Sequence, residues 1–272
     1  MTILTPKPRL QGVTVFLSAS IPSSPRSHEF RRIPEAATQI EGAVISIARA
    51  IFMEGGSLVF GGHPSISPLI AQVVGHYFQP APAERDWRFD DEREKEVPWR
   101  NPSVVIYQSE IWQDHWAESS QRLAQQPLVS LRWTPASPGE RIDPEQRDMP
   151  QGRASLDLMR RAMIKESEPA AMIAIGGMEG VLDEAVLFSE LRPRKPIFAL
   201  ATTGGAASIL ADNPGDMKVQ VIDREADELV KAFWREHRRE GMERSFYTPY
   251  AFVAQQVVSV LAGAGGQASL AR

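Results

Sequence analysis

Two kinds of segment alternate along the chain. Short, near-continuously apolar runs, rich in Val, Ile, Leu and Phe, occupy 13–17, 58–60, 104–107, 128–133, 171–175, 197–200 and 219–222. Longer stretches at 35–53, 67–78, 155–166, 181–191, 226–238 and 250–262 carry apolar residues every three or four positions. The short runs predict strands and the longer ones helices, because a fully buried strand is apolar on both faces whereas a helix shows its core face once per turn. Strands of that kind, separated by helices, belong in a parallel sheet covered on both sides. The pattern therefore predicts an α/β fold, a Rossmann-like three-layer α/β/α arrangement with a mostly parallel sheet. A β-sandwich would show strict alternation within its strands and no such helices.

Two stretches break the rhythm. Residues 80–102 combine four prolines with a dense mix of both charges, and 135–150 is again rich in proline. Neither divides the chain into parts with enough strands to close a sheet each, so both read as surface excursions from a single domain spanning 1–272. With 43% hydrophobic and 24% charged residues, the 272-residue chain can fill a sizeable core. A net charge of −4 provides no global positive field, so neither nucleic acid nor an anionic membrane surface is an expected partner. Any anionic ligand must be held by a local device. The absence of cysteine excludes disulfides, thiolate catalysis and Cys-ligated metals. No run reaches 18 uninterrupted apolar residues and the first ten residues, MTILTPKPRL, do not read as a signal peptide, so a cytoplasmic location is expected.

In a parallel sheet, ligands bind beyond the carboxyl ends of the strands, where helix N-termini and loop amides face outward. Four such ends are readable: SASIP at 18–22, GGHPS at 61–65, GGMEG at 176–180 and ATTGG at 201–205. They nominate Ser18, Ser20, Gly61, Gly62, His63, Gly176, Gly177, Met178, Glu179, Gly180, Thr202 and Thr203 as ligand-binding residues. A glycine lets backbone N–H groups approach a phosphate or sugar closely, although a tight turn alone demands the same residue. The dinucleotide fingerprint GxGxxG is missing after the first strand, and GxxxxGK[ST] is absent, so neither ordinary NAD-linked hydride transfer nor nucleoside triphosphatase chemistry has support. The histidines at 28, 63, 76, 115 and 237 form neither HxxxH nor HExxH, so neither a metal nor a cofactor is expected.

Helical projection singles out two charged residues. After GGMEG, Glu179, Asp183 and Glu190 project within about 40° of one another and form a solvated strip. Glu184 instead falls among Val181, Leu187, Phe188 and Leu191. On the preceding helix Arg160 falls on the stripe of Leu156, Met159 and Met163, while Arg161 points away with Lys165. A charge on an apolar stripe is costly unless paired, so Arg160 and Glu184 are either a salt bridge between helices or the polar pair of a site.

The stretch LMRRAMIKESEPAAMIAIGGMEGVLDE, with VFGGHPSISPLI earlier in the chain, resembles the SLOG superfamily, which unites LOG phosphoribohydrolases, Smf/DprA proteins and the ligand-sensing domains of TRPM channels and defence proteins. Arg160, Gly176, Gly177, Gly180 and Glu184 take the places of the LOG arginine and of the glycines and glutamate in PGGxGTxxE. Ile175 stands where that motif has proline, Val181 where it has threonine, and one residue is inserted at Met178–Glu179. The segments VFLSASIP and IGGMEGVLDEAVLF look closer to the sensor-like branch found beside TIR or sirtuin-type NAD-consuming effectors. The resemblance implies a single domain that binds a nucleotide-derived small molecule related to NAD or ADP-ribose, in bacterial defence signalling, with its output passed through a homo-oligomer or a separate effector chain. The alternative it implies is a LOG-like N-glycosidase acting on a nucleoside monophosphate. In that enzyme Glu184 would stabilise the charge developing on the ribose and Arg160 would grip the phosphate, making these two the catalytic residues.

Overall fold

The computed structural model describes residues 8–22, 30, 36–77, 104–143, 151–226, 228, 232 and 248–269, with side chains to 263 in the last segment. The described residues contain seven strands: β1 (Thr14–Ser20), β2 (Ser57–Phe60), β3 (Val104–Ser109), β4 (Val129–Thr134), β5 (Ala171–Gly176), β6 (Ile197–Leu200) and β7 (Val219–Val221). Each coincides with one of the seven apolar runs. The helices are α1 (Ala36–Met53), α2 (Ser67–Tyr77), α3 (Glu118–Ala124), α4 (Arg153–Ser167), α5 (Glu179–Leu191), α6 (Gly205–Asp212) and α7 (Tyr250–Ser269). Short 3₁₀ turns occupy Glu110–His115 and Ala201–Thr203. The excursion expected at 80–102 lies outside the described residues, as does the helix expected at 226–238 apart from Ala226, Glu228 and Ala232.

The strands form one sheet in the order β4-β3-β2-β1-β5-β6-β7, and every neighbouring pair is parallel. The central β5 is buried along its whole length, whereas the edge strand β4 alternates between half-buried and exposed positions up to its buried last residue, Thr134. Side chains from the two faces of the sheet enter two separate cores. On one side Val15, Leu17, Leu58, Phe60, Ile173 and Ile175 pack against α1, α2 and α7. On the other, Phe16, Val59, Tyr107, Met172 and Ala174 meet α4, α5 and α6, where Phe188 lies 6.2 Å from the ring of Phe16. The three layers follow directly from strands that are apolar on both faces.

α1 is long and apolar enough to cross a membrane by length and composition, yet Ile40, Val44, Ile47 and Ile51 are buried against the sheet and α7. A core helix passes the same test, and Glu41 and Arg49 lie on its exposed side. The described part of the second excursion, 135–143, contains neither helix nor strand but does terminate a helix. Glu140 accepts bonds from the Ala154 and Ser155 amides and the Ser155 hydroxyl, capping α4 where Gly152 has no side chain to do so. Burial pushes the Glu140 carboxyl up, but the bonds from Ser155 and Ala154 outweigh it and hold the group below the usual glutamate range.

Candidate functional site

From β1 the chain winds outward to β2, β3 and β4, then returns to place β5 on the other flank of β1 and continues to β6 and β7. The reversal makes the carboxyl ends of β1 and β5 a topological switch point, where loops diverge and leave a crevice. Ser20 and Gly176 are register partners across it.

The turn after β5 has left-handed backbone at both Gly176, with φ +57°, and Gly177, with φ +84°. A Cβ on Gly176 would stand 2.3 Å from Ile40 Cδ1, and one on Gly177 would stand 2.3 Å from Val181 Cγ2. Packing of α1 and α5 onto this turn is therefore sufficient to require both glycines. Their amides are also engaged: Gly176 N–H donates to Thr203 Oγ1 at 2.8 Å and Gly177 N–H to the Ser20 carbonyl at 2.8 Å. The amides of Met178, Glu179 and Gly180 begin α5 and have no carbonyl one turn earlier within the helix to receive them. Among the candidates in GGMEG, these three amides are the ones geometrically suited to an anion, with the positive end of the helix dipole behind them.

Arg160 on α4 and Glu184 on α5 meet above β1. Arg160 Nε lies 3.2 Å from Glu184 Oε1, and the two side chains are only 15% and 14% exposed. Arg161, by contrast, pairs with Asp157 one turn away on the exposed side of α4. The second oxygen of Glu184 accepts a 2.5 Å bond from the hydroxyl of Ser18, which is buried on β1. Arg160 also reaches Asp183 at 3.4 Å. Its Nη2 lies 2.9 Å from the place a Cβ would occupy on Gly180, so the guanidinium rests on the first turn of α5. Arg160 also lines, with Arg153, Asp157, Arg161, Asp183 and Glu190, a cleft of about 340 Å³ between α4 and α5, to whose lining Glu184 does not belong.

The loop after β2 brings a third set of candidates to the same edge. Gly61 faces α4, its absent Cβ 3.3 Å from Met159 Cε, and the Gly62 carbonyl accepts a bond from the buried Ser120. His63 Nδ1 accepts from the Ser65 amide at 3.2 Å and lies 2.9 Å from Ser65 Oγ, which itself receives the Ile21 amide of the β1 loop. This ties the ends of β1 and β2 together.

The threonines after β6 face inward. Thr203 Oγ1 donates to the Leu200 carbonyl at 2.6 Å while accepting from Gly176. Thr202 Oγ1 donates to Asp223 at 2.6 Å and is 2.9 Å from Tyr250 Oη. Asp223, fully buried after β7, also accepts the amides of Ala201 and Thr202. Burial raises its carboxyl above the usual aspartate range, and the bonds from Thr202 and Ala201 oppose that rise. Sequence reading missed Asp223 because it follows a three-residue strand and belongs to no periodic pattern. It is polar just beyond an apolar run at a sheet edge, and that placement was the available signal.

The sequence model of the SLOG cluster3 family matches residues 92–231, more than half of the 272-residue chain. No curated protein matches it. Among solved structures, an X-ray structure of the structural-genomics target TM1055 aligns at 15% identity and a TM-score of 0.40, covering 74% of this chain and 81% of that one. The family match takes in Arg160, the glycine turn, Glu184 and Asp223, and the chain belongs to the SLOG cluster3 family.

Proposed function

We propose that this protein binds a nucleotide-derived small molecule, related to NAD or ADP-ribose, at the β1/β5 switch point and acts as a sensor of it. The observation that carries the reading is the seat of the Arg160 guanidinium on Gly180, beside the open amides of Met178, Glu179 and Gly180. A guanidinium and a helix N-terminus on one spot make a site for a phosphate, which needs several donors in a fixed arrangement. Ser18 and Glu184 lie next to it and are suited to ribose hydroxyls, since a carboxylate accepts from two of them at once.

Binding is favoured over hydrolysis by the state of Glu184. Both of its oxygens are engaged, one by Ser18 and one by Arg160, but each keeps a second lone pair with which to accept from a ribose hydroxyl. Charge developing on a sugar is stabilised best by a carboxylate whose negative charge is not already neutralised by an arginine, so a glycosidase would have to break this ion pair whereas a binding site would not. The sensor reading implies an output through a homo-oligomer or a separate effector chain.

Native mass spectrometry after incubation with NAD, ADP-ribose, cyclic ADP-ribose and nucleoside monophosphates tests the reading, with released base assayed in the same solutions. One of these ligands retained intact, with affinity lost in Glu184→Ala, is the expected result. Free base accumulating over many turnovers would replace the sensor with an N-glycosidase, and Glu184→Ala would then abolish turnover while keeping substrate bound.

A further inference from the structure

Asp223 is a buried carboxylate that the binding site does not use. Among the described residues no cation pairs with it, and the neighbouring Arg224 turns outward to Asp212 on α6. Burying an anion in this way is expensive, and it is tolerated only where fixed donors replace water. Besides its own backbone amide, three donors on one 3₁₀ turn do so: the Ala201 amide at 3.0 Å, the Thr202 amide at 2.8 Å and the Thr202 hydroxyl at 2.6 Å. An apolar side chain in the same space would leave these donors without an acceptor, so the carboxylate fixes both the position and the direction of that turn.

The turn in turn controls the glycines. An ionised carboxylate only accepts, so the single Thr202 hydroxyl proton goes to Asp223, and the Tyr250 hydroxyl must donate to Thr202 across their 2.9 Å contact. Thr203, next in the chain, holds the Gly176 amide, and the Ala206 amide at the start of α6 bonds the Gly177 carbonyl at 3.0 Å. The glycine turn is therefore gripped on both sides by one segment, which hangs from Asp223 and Tyr250. Tyr250 opens α7, beyond the residues 92–231 that match the family.

We propose that Asp223 and Tyr250 are a positioning pair for the ligand turn: they lock residues 201–203 in the conformation that fixes Gly176 and Gly177 and so aims the first amides of α5. The C-terminal helix would then complete a site to which it contributes no ligand contact. The inference rests on the binding reading for its functional meaning but not for its structural test.

That test is hydrogen exchange on the full chain, followed at the 176–180 amides and, as reference, at the 14–17 amides of β1, with ADP-ribose titrated in parallel. Losing one hydrogen bond predicts exchange faster by roughly fivefold to tenfold at Gly176 and Gly177 in Asp223→Asn, Thr202→Val and Tyr250→Phe, with β1 unchanged. Thr202→Ser, which restores the hydroxyl, should restore wild-type exchange. Wherever the wild type takes up ADP-ribose, its affinity should fall by a similar factor in the first three variants and recover in the fourth. Exchange that rises uniformly or not at all overturns the proposal, as does unchanged affinity in variants of a binding wild type. A selective rise in exchange together with a wild type that ignores ADP-ribose upholds the positioning pair and counts against that ligand. Should Asp223→Asn fail to fold, Thr202→Val and Tyr250→Phe carry the test, each removing a single hydroxyl.

Discussion

Replacing Glu184 by alanine removes the centre of the polar cluster, and the structure sets the size of the effect. Ser18, 1% exposed, loses the acceptor of its hydroxyl. An orphaned buried hydroxyl costs about 1–2 kcal/mol. Arg160, 15% exposed, loses its shielded partner and keeps Asp183, whose side chain is 62% exposed and whose attraction is correspondingly screened. Stripping one partner from a fully buried pair costs about 3–5 kcal/mol, so with a residual carboxylate and partial exposure about 2 kcal/mol is reasonable here. The sum is about 3 kcal/mol, or a fall in Tm of roughly 6–12 °C for a chain of this size. Urea denaturation and thermal melts by circular dichroism measure both quantities. Adding Ser18→Ala to Glu184→Ala should cost less than the sum of the singles by about 1 kcal/mol, because both break the same bond. The reasoning fails if Glu184→Ala stays within about 0.5 kcal/mol of wild type, or if Asp183→Ala costs as much.

Gly177→Ala should destabilise by about 2–4 kcal/mol, since its Cβ would meet the β-branched Val181 on a backbone at φ +84°. Gly180→Ala meets only the mobile end of Arg160 and should leave urea stability within about 1 kcal/mol of wild type while weakening ADP-ribose binding; equal losses of stability would refute the distinction. The raised carboxyl of Asp223 has a definite sign: the unfolded chain ionises first, so this group's contribution declines as pH rises from the ordinary aspartate range through its folded value and is level above it. The stability difference between wild type and Asp223→Asn, from urea titrations between about pH 4 and 7, should therefore shift against wild type with rising pH, and a shift the other way would show the sign is wrong. Phe188→Ala, at a fully buried ring beside Phe16, should cost about 3–5 kcal/mol by the same assay.

The sheet was legible because its inner strands are apolar on both faces and its edge strands β4 and β7 alternate, two patterns that a helix does not give. Their ends were less so: β1 runs on through the small, polar Ser18 and Ser20, which hydrophobic content alone does not mark as strand. α3 and α6 were missed because each is short, and Gly205 with Ala206 and Ala207 offers no amphipathic period. The inward setting of Arg160 and Glu184 was readable, because a helix fixes which residues share a face. Where Thr202 and Thr203 send their hydrogen bonds was not. A hydroxyl at a strand end serves a ligand or a turn equally well in sequence; Asp223, brought in from another loop, is what engages Thr202, while Thr203 is engaged by the Leu200 carbonyl and the Gly176 amide.

The sheet order also governs how the chain can assemble. β1 receives β2 soon after synthesis, but its other edge waits for β5, and Ser18 waits for Glu184, 166 residues further along. A nascent chain therefore carries an unpaired apolar strand edge until residues 171–176 have been made, the condition under which wrong partners are recruited. α7 is later still, and it seals the core against α1. Folding should be slow and dominated by contacts distant in sequence, so a chain truncated before α7 would meet its difficulty as a collapsed, sticky intermediate before any question of ligand arose.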